Sequence, residues 1–278
     1  MDPRRQKTTI RQTKASMEKR ASRAPKRLDL RGAKQRGVER GEGDLSPATI
    51  KMYDDVERVS WCPFMVSLKQ NIKRRIKLCG GTILTDTLTL TAAHCVIFGV
   101  TGLYLQFGST YVFGGRMFEA TNITLHNFFD RSAFAHDIGL VSIFPAKLSF
   151  GLNVLPVKLP KKNLDIESTS WLRIYGWGAT SEHQSFSEIL LSTMMPLVDE
   201  KICKSLLDNV PENTFCLGYF DGHVDACLGD SGGPAMLLDV QVGITSFGEG
   251  CALPLKPGVY TDVRKYIDWL HGAMKTLH

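Results

Sequence analysis

The chain has 278 residues, 43% of them hydrophobic and 22% charged, which fits a globular protein of one or two domains. Its net charge of +6 is unevenly placed, because residues 1–50 hold 14 Lys and Arg against 6 Asp and Glu, a net +8 that leaves the remainder at −2. Basic character belongs to the leader, so a reading as a polyanion-binding body is excluded and any such role has to rest on that leader.

Residues 1–50 are rich in Lys, Arg, Ser, Thr and Gly and nearly free of large apolar side chains. They cannot bury enough surface to order themselves, and a disordered leader is expected. A secretory signal needs an apolar run of roughly 7 to 15 residues after a basic start, and none occurs before Tyr53. The seven cysteines point the other way, to an oxidising compartment. Three readings stay open: export from a start not represented here, a leader produced by gene prediction or alternative splicing, and a protein that stays inside the cell. Without interleaved aromatic residues the leader lacks the stacking platforms of single-strand-binding arms, which argues against nucleic acid. No membrane span is expected.

From Phe64 onward, short runs of Val, Ile, Leu, Thr and Tyr alternate with Gly, Pro, Asn and Asp, and helical periodicity is absent until the end. That pattern predicts an all-β fold. Strands are expected over 64–68, 76–84 and 88–92, with a loop over 70–77. Five of the nine residues 69–77 are basic; the stretch reads as a solvated hairpin tip, with a docking patch for acidic partners or a self-cleavage site as alternatives. Thr91-Ala92-Ala93-His94-Cys95 then sets a histidine among small residues beside a cysteine. His126, His136, His183 and His223 lack that setting and are expected on the surface or in loops. Residues 106–119 offer Glu119 as their only acid, too few hard oxygens for calcium. Asn122-Ile123-Thr124 is a glycosylation pattern, usable only in an exported chain.

Ala135-His136-Asp137-Ile138-Gly139-Leu140 places a carboxylate at the head of an apolar strand. A linker over 150–162, with two prolines, leads into a second β-rich half whose first strand ends in Gly176-Trp177-Gly178. Strands over 235–238 and 241–247 are joined by a turn at Asp239. Val263, Ile267 and Leu270, with Tyr266 alongside, stand at helical spacing and predict an amphipathic helix over about 263–275, packed on the second half.

The stretch Asp225-Ala226-Cys227-Leu228-Gly229-Asp230-Ser231-Gly232-Gly233-Pro234 carries the chemistry. A serine in a glycine-rich turn, with backbone amides free around it, suits a hydroxyl nucleophile whose transition state bears an oxyanion. A hydroxyl needs a base and a group to orient that base. His94 and Asp137 are the candidates, in the order His, Asp, Ser. Over roughly residues 52–278, these three motifs in that order resemble the chymotrypsin and trypsin family of serine endopeptidases.

That resemblance implies two six-stranded antiparallel β-barrels, about 52–155 and 156–262, followed by the terminal helix. It implies Ser231 as nucleophile, His94 as general base, Asp137 as its orienting carboxylate and the amides of Gly229 and Ser231 as the oxyanion hole, with neither metal nor cofactor. It implies disulfides Cys79 to Cys95, Cys203 to Cys216 and Cys227 to Cys251. Cys62 is left over, read as a buried small apolar residue, with an intermolecular thiol as the alternative. Asp225, six residues before Ser231, would form the base of a pocket for a substrate Lys or Arg. Ser246-Phe247-Gly248 and Gly258 would wall that pocket, with Phe247 standing where the family usually has tryptophan. Activation would follow cleavage after Lys51, the new ammonium of Met52 pairing with Asp230, although Lys51-Met52-Tyr53-Asp54-Asp55 lacks the family's glycines. Expected partners are protein or peptide substrates with Lys or Arg before the scissile bond, an activating protease and protein inhibitors. The alternatives are a catalytically silent homologue that keeps the fold as a binding protein, and a nucleic-acid-associated protein acting through residues 1–40.

Overall fold

A computed structural model describes residues 55–277 apart from 74, 182 and 183. Lys51, Met52, His183 and the leader lie outside the described residues. The chain runs β1 (Asp55–Val56), β2 (Met65–Ile72), β3 (Arg75–Ile83), β4 (Leu88–Thr91), a short α1 (Ala93–Val96), β5 (Leu103–Phe107), β6 (Arg116–Glu119), β7 (Asn122–Leu125) and β8 (Gly139–Ser142). It continues with β9 (Trp171–Gly176), β10 (Leu191–Val198), α2 (Glu200–Leu206), β11 (Thr214–Leu217), β12 (Pro234–Leu237), β13 (Val240–Phe247) and β14 (Gly258–Asp262). A 3-10 turn (Val263–Tyr266) opens into α3 (Ile267–Thr276). Among the described residues no helix is long and apolar enough to cross a membrane.

All named strand pairings are antiparallel, as the alternating apolar runs require, and they form two sheets. The first is a curled seven-stranded sheet in the order β6-β5-β2-β3-β4-β8-β7. In the second, β9 pairs with both β12 and β10, closing six strands into a barrel, and β1 adds at the edge of β10. Alternation is plain in β5 and β9, where every second side chain is buried. It vanishes in β4 and β8, buried throughout because they lie between the sheets' apolar cores.

Two expectations about local structure need correction. The basic stretch over 70–77 is not a loop, since β2 and β3 pair through it, Gln70 with Lys77 and Ile72 with Arg75. Gln70 turns inward, its amide donating to the Gly99 carbonyl at 2.8 Å, while Lys73 and Arg75 stay in water. Secondly, α2 is a helix that no long periodicity announced. Asp199 caps it by accepting from the amides of Lys201 and Ile202 at 2.9 and 3.2 Å.

Ile267, Leu270 and Ala273 bury one face of α3 in a cluster holding Met236 and Ile244 of the second sheet together with Leu88, Leu90 and Leu140 of the first. The helix thus ties both sheets rather than the second alone. The sheets also meet through polar contacts: the Thr82 hydroxyl donates to Gln241 Oε1 at 2.7 Å, and the Gly80 amide donates to the Ser231 carbonyl at 2.8 Å. Three disulfides join Cys79 to Cys95, Cys203 to Cys216 and Cys227 to Cys251. Cys62 is buried, packed among Met65, Leu78, Val112 and Trp177, and burial pushes its thiol up to about 12.

Candidate active site

His94 stands on α1, immediately after β4, where Cys95 ties the turn to β3 through Cys79. Asp137 sits two residues before β8 with no solvent exposure. A carboxylate so buried needs several donors. It has them: the His94 amide donates to Oδ1 at 2.9 Å, His94 Nδ1 lies 2.7 Å from Oδ2, and the Ser246 hydroxyl donates to Oδ2 at 2.5 Å. The Thr261 hydroxyl fixes the same residue by donating to its carbonyl at 2.9 Å. With Nδ1–H directed at the carboxylate, the imidazole keeps Nε2 as its basic nitrogen. Ser246, expected only as a pocket wall, therefore has a second assignment: it lines the pocket, and its hydroxyl is committed to Asp137.

Ser231 and His94 line one cavity. No hydrogen bond joins the Ser231 hydroxyl to His94 among the described residues; such contacts are often long without substrate and tighten when it binds. The turn that carries Ser231 is held by glycine. Gly229 has φ +101°, and a Cβ there would stand 2.9 Å from the Phe186 ring. Gly232 has φ +82°, with Thr91 Oγ1 only 2.2 Å from where a Cβ would lie. The amides of Gly229 and Ser231 donate to no acceptor among the described residues, which leaves two N–H groups beside the hydroxyl. Oriented donors of this kind stabilise developing negative charge.

Asp230 points the other way and is buried, accepting from the Gly178 amide at 2.8 Å and the Cys227 amide at 2.9 Å. Its carboxylate explains the Gly-Trp-Gly motif, for a Cβ at Gly176 would fall 1.8 Å from one Asp230 oxygen and a Cβ at Gly178 2.4 Å from the other.

The cavity shared by His94 and Ser231 has a volume of about 240 Å³ and is also lined by Asp225, Phe247, Gly248 and Gly258. Asp225 is 4% exposed, accepting from the Ala226 amide at 2.8 Å and the Ala252 amide at 3.3 Å. Burial raises its carboxyl to about 7 against the pull of those two amides, with a further push from the Asp230 charge. A larger cavity of about 510 Å³ lies on the flank of the second barrel beside α2, but it brings together no hydroxyl, imidazole and carboxylate of this kind.

Sequence reasoning missed Phe134. Its ring packs edge-on to His94 with centroids 5.4 Å apart and lies 5.2 Å from Phe247, so it covers the approach to the pocket. No local pattern marks it, because the contact exists only once the segment before Asp137 is folded back. His126 and His136, expected on the surface or in loops, lie outside the strands and helices but are half-buried, stacked on each other at 4.8 Å and packed against Tyr266. His136 has its Nδ1 3.1 Å from the Tyr266 hydroxyl, a contact separate from the His94–Asp137 pair. His223 is exposed as expected. Cys79, His94 and Cys95 bring potential metal ligands within 4.8 Å of one another, but the two sulfurs are bonded together and offer no thiolate.

A sequence model of the trypsin family matches residues 51–270. The chain belongs to the trypsin family. Similar proteins include Trypsin Blo t 3 of Blomia tropicalis, 36% identical over 76% of this chain and 80% of its own length. Trypsin 5G1 of Aedes aegypti is 34% identical over 75% of this chain and 79% of its own, and a trypsin of Phaedon cochleariae is 33% identical over 75% and 82%. This trypsin-family chain is thus a serine protease by family and fold, and the cavity holding His94, Ser231 and Asp225 is its candidate active site.

Proposed function

We propose that this protein is an endopeptidase that cleaves after Lys or Arg through an acyl-enzyme, and that it is made in a form activated by cleavage after Lys51. The observation that carries the reading is the His94 Nδ1–Asp137 Oδ2 contact of 2.7 Å beside a cavity that His94, Ser231 and the buried Asp225 line together. The Ser231 oxygen attacks the scissile carbonyl carbon while His94 Nε2 takes its proton. Asp137 holds the imidazole in the required tautomer and stabilises the imidazolium. The carbonyl oxygen, now negative, is held by the amides of Gly229 and Ser231. Collapse breaks the C–N bond, and His94 returns the proton to the leaving amine. Water then attacks the ester by the same sequence, releasing the acid and restoring the Ser231 hydroxyl.

Asp225 selects the substrate side chain, because an apolar group in the pocket would leave a buried carboxylate uncompensated, whereas an ammonium or guanidinium would pair with it. No cofactor enters these steps. In this reading residues 1–50 are a leader, the three disulfides support an oxidising compartment outside the cell as the place of the folded body, and the new terminus at Met52 pairs with Asp230. Protein inhibitors that present Lys or Arg to the pocket are expected partners. The test is arginyl-ester hydrolysis before and after limited cleavage, with terminal sequencing of the product. Activity that appears with cleavage after Lys51 and disappears in Ser231→Ala supports the reading. A cleaved, folded protein with no hydrolysis refutes it in favour of a silent homologue.

A further inference from the structure

Three side chains beside the active site take no part in the chemistry above. Lys77, on β3, donates from Nζ to the carbonyl of His94 at 2.6 Å. The ring of Phe98, half exposed, lies 5.6 Å from the Lys77 ammonium and 5.5 Å from the Arg131 guanidinium, so two cations flank one aromatic surface. Burial lowers the pKa of Lys77, and the Arg131 charge lowers it further, against an opposing pull from Asp137. Neither Lys77 nor Arg131 has a carboxylate within ion-pair distance among the described residues. Two neighbouring cations gathered on an exposed ring are complementary to an anion from outside.

The position of the group indicates which part of a substrate would supply that anion. The side chain before the scissile bond enters the cavity that Asp225 lines, and neither Lys77, Phe98 nor Arg131 lines that cavity. The leaving amine must receive its proton from His94, so the departing chain passes the imidazole. β3 borders Ser231 from the same side, through the Gly80 amide and the Ser231 carbonyl. We propose that Lys77 and Arg131, both beside the Phe98 ring, form a subsite for an Asp or Glu side chain within the first three residues after the scissile bond. The inference rests on the proposed cleavage after Lys or Arg for its register, and its recognition chemistry is a carboxylate against an ammonium and a guanidinium.

The experiment separates binding from catalysis. Labelled peptides with one Arg, followed by three Glu, three Gln or three Lys, are titrated by fluorescence anisotropy into the full chain carrying Ser231→Ala, before and after cleavage after Lys51. Glu peptides should bind about fivefold to tenfold more tightly than Lys peptides, with Gln between and the ratio falling in high salt. Lys77→Gln with Arg131→Gln should bring the ratio close to one. Arg131→Glu alone, at an exposed position, should reduce or invert it, which covers the case in which the double variant does not fold. A Glu-to-Lys ratio within twofold in the cleaved Ser231→Ala protein, or a ratio unchanged by Arg131→Glu, overturns the subsite. Arginyl-ester hydrolysis by the unmutated protein is scored separately, so loss of the endopeptidase reading and loss of the subsite are distinct results.

Discussion

Replacing Asp225 by Asn should stabilise the folded protein while removing the proposed preference for basic side chains. In the fold the carboxyl of Asp225 is raised from its ordinary 3.8 to about 7, chiefly by burial. A carboxyl with a raised folded pKa keeps its proton in the native state while the unfolded chain has already released it. The stability it carries is full below pH 3.8 and is lost as pH rises toward 7, at about 1.4 kcal/mol for each pH unit across that window. The total loss approaches ~4 kcal/mol above pH 7, an upper figure because the pocket admits water. Asn retains a carbonyl oxygen to accept from the Ala226 amide at 2.8 Å and is not ionised. The Ala252 amide, at 3.3 Å from the other oxygen, meets the new amide nitrogen, which offsets part of the gain. Urea unfolding of Asp225→Asn and the unmutated chain at pH 4, 5.5 and 8 should give a difference near zero at pH 4 that grows in favour of the variant to about 2–4 kcal/mol at pH 8. The same variant should lose about a hundredfold or more in kcat/KM on arginyl substrates. A variant less stable at pH 8, or a difference independent of pH, would falsify the account of Asp225 as a carboxylate held at a cost in the pocket.

Ser246→Ala removes a buried donor 2.5 Å from the Asp137 carboxylate and should cost about 1.5–3 kcal/mol of stability by chemical unfolding, with a fall in kcat larger than any rise in KM. Gly176→Ala would drive a methyl to 1.8 Å from an Asp230 oxygen, so folding yield and ester hydrolysis should collapse together, while an alanine at the open position Gly151 should change neither. The pKa of His126 is lowered by burial and by His136, which means its stabilising contribution is present above the ordinary value of 6.5 and is lost as pH falls through the lowered one. His126→Phe should therefore flatten the loss of thermal stability between pH 7 and pH 5; an unchanged slope would dismiss the stacked pair as an acid-sensitive point.

The motifs around His94, Asp137 and Ser231 could be read from the chain because their requirements are local. Small residues flank His94, an apolar strand follows Asp137, and glycines surround Ser231 where side chains would clash. The Gly-Trp-Gly motif was visible as a pattern, but its reason, the Asp230 carboxylate filling the space of two absent Cβ atoms, is a contact between residues far apart in sequence. Phe134 stayed hidden for the same reason, and Lys77 stood out only as one of the basic residues over 69–77, its contact with the His94 carbonyl unseen. The strand pairing over 70–77 was missed because charge density was taken for loop character, although the solvent-exposed end of a paired hairpin can carry charge. The seven residues of α2 are too few for a periodic signal, and only Asp199 followed by Glu200, with Lys204 in the last turn, marked it. The second barrel's extra strand β1 depends on pairing Asp55 and Val56 with Ser192 and Leu191, which two residues of sequence cannot announce.

The bond between the Gly80 amide and the Ser231 carbonyl has a consequence for building hybrids of this protein with its relatives. His94 and Asp137 are carried by one sheet and Ser231 and Asp225 by the other, so an exchange of halves between two trypsins transplants each set intact. What it does not transplant is the fit at the crossing, where Gly80 stands so near Gly233 that a Cβ would lie 2.8 Å from its Cα, and where Thr82 meets Gln241. Matched residues at these four positions would let two foreign halves keep Ser231 and His94 on one cavity, and a mismatch there should leave both sheets folded with the two side chains apart.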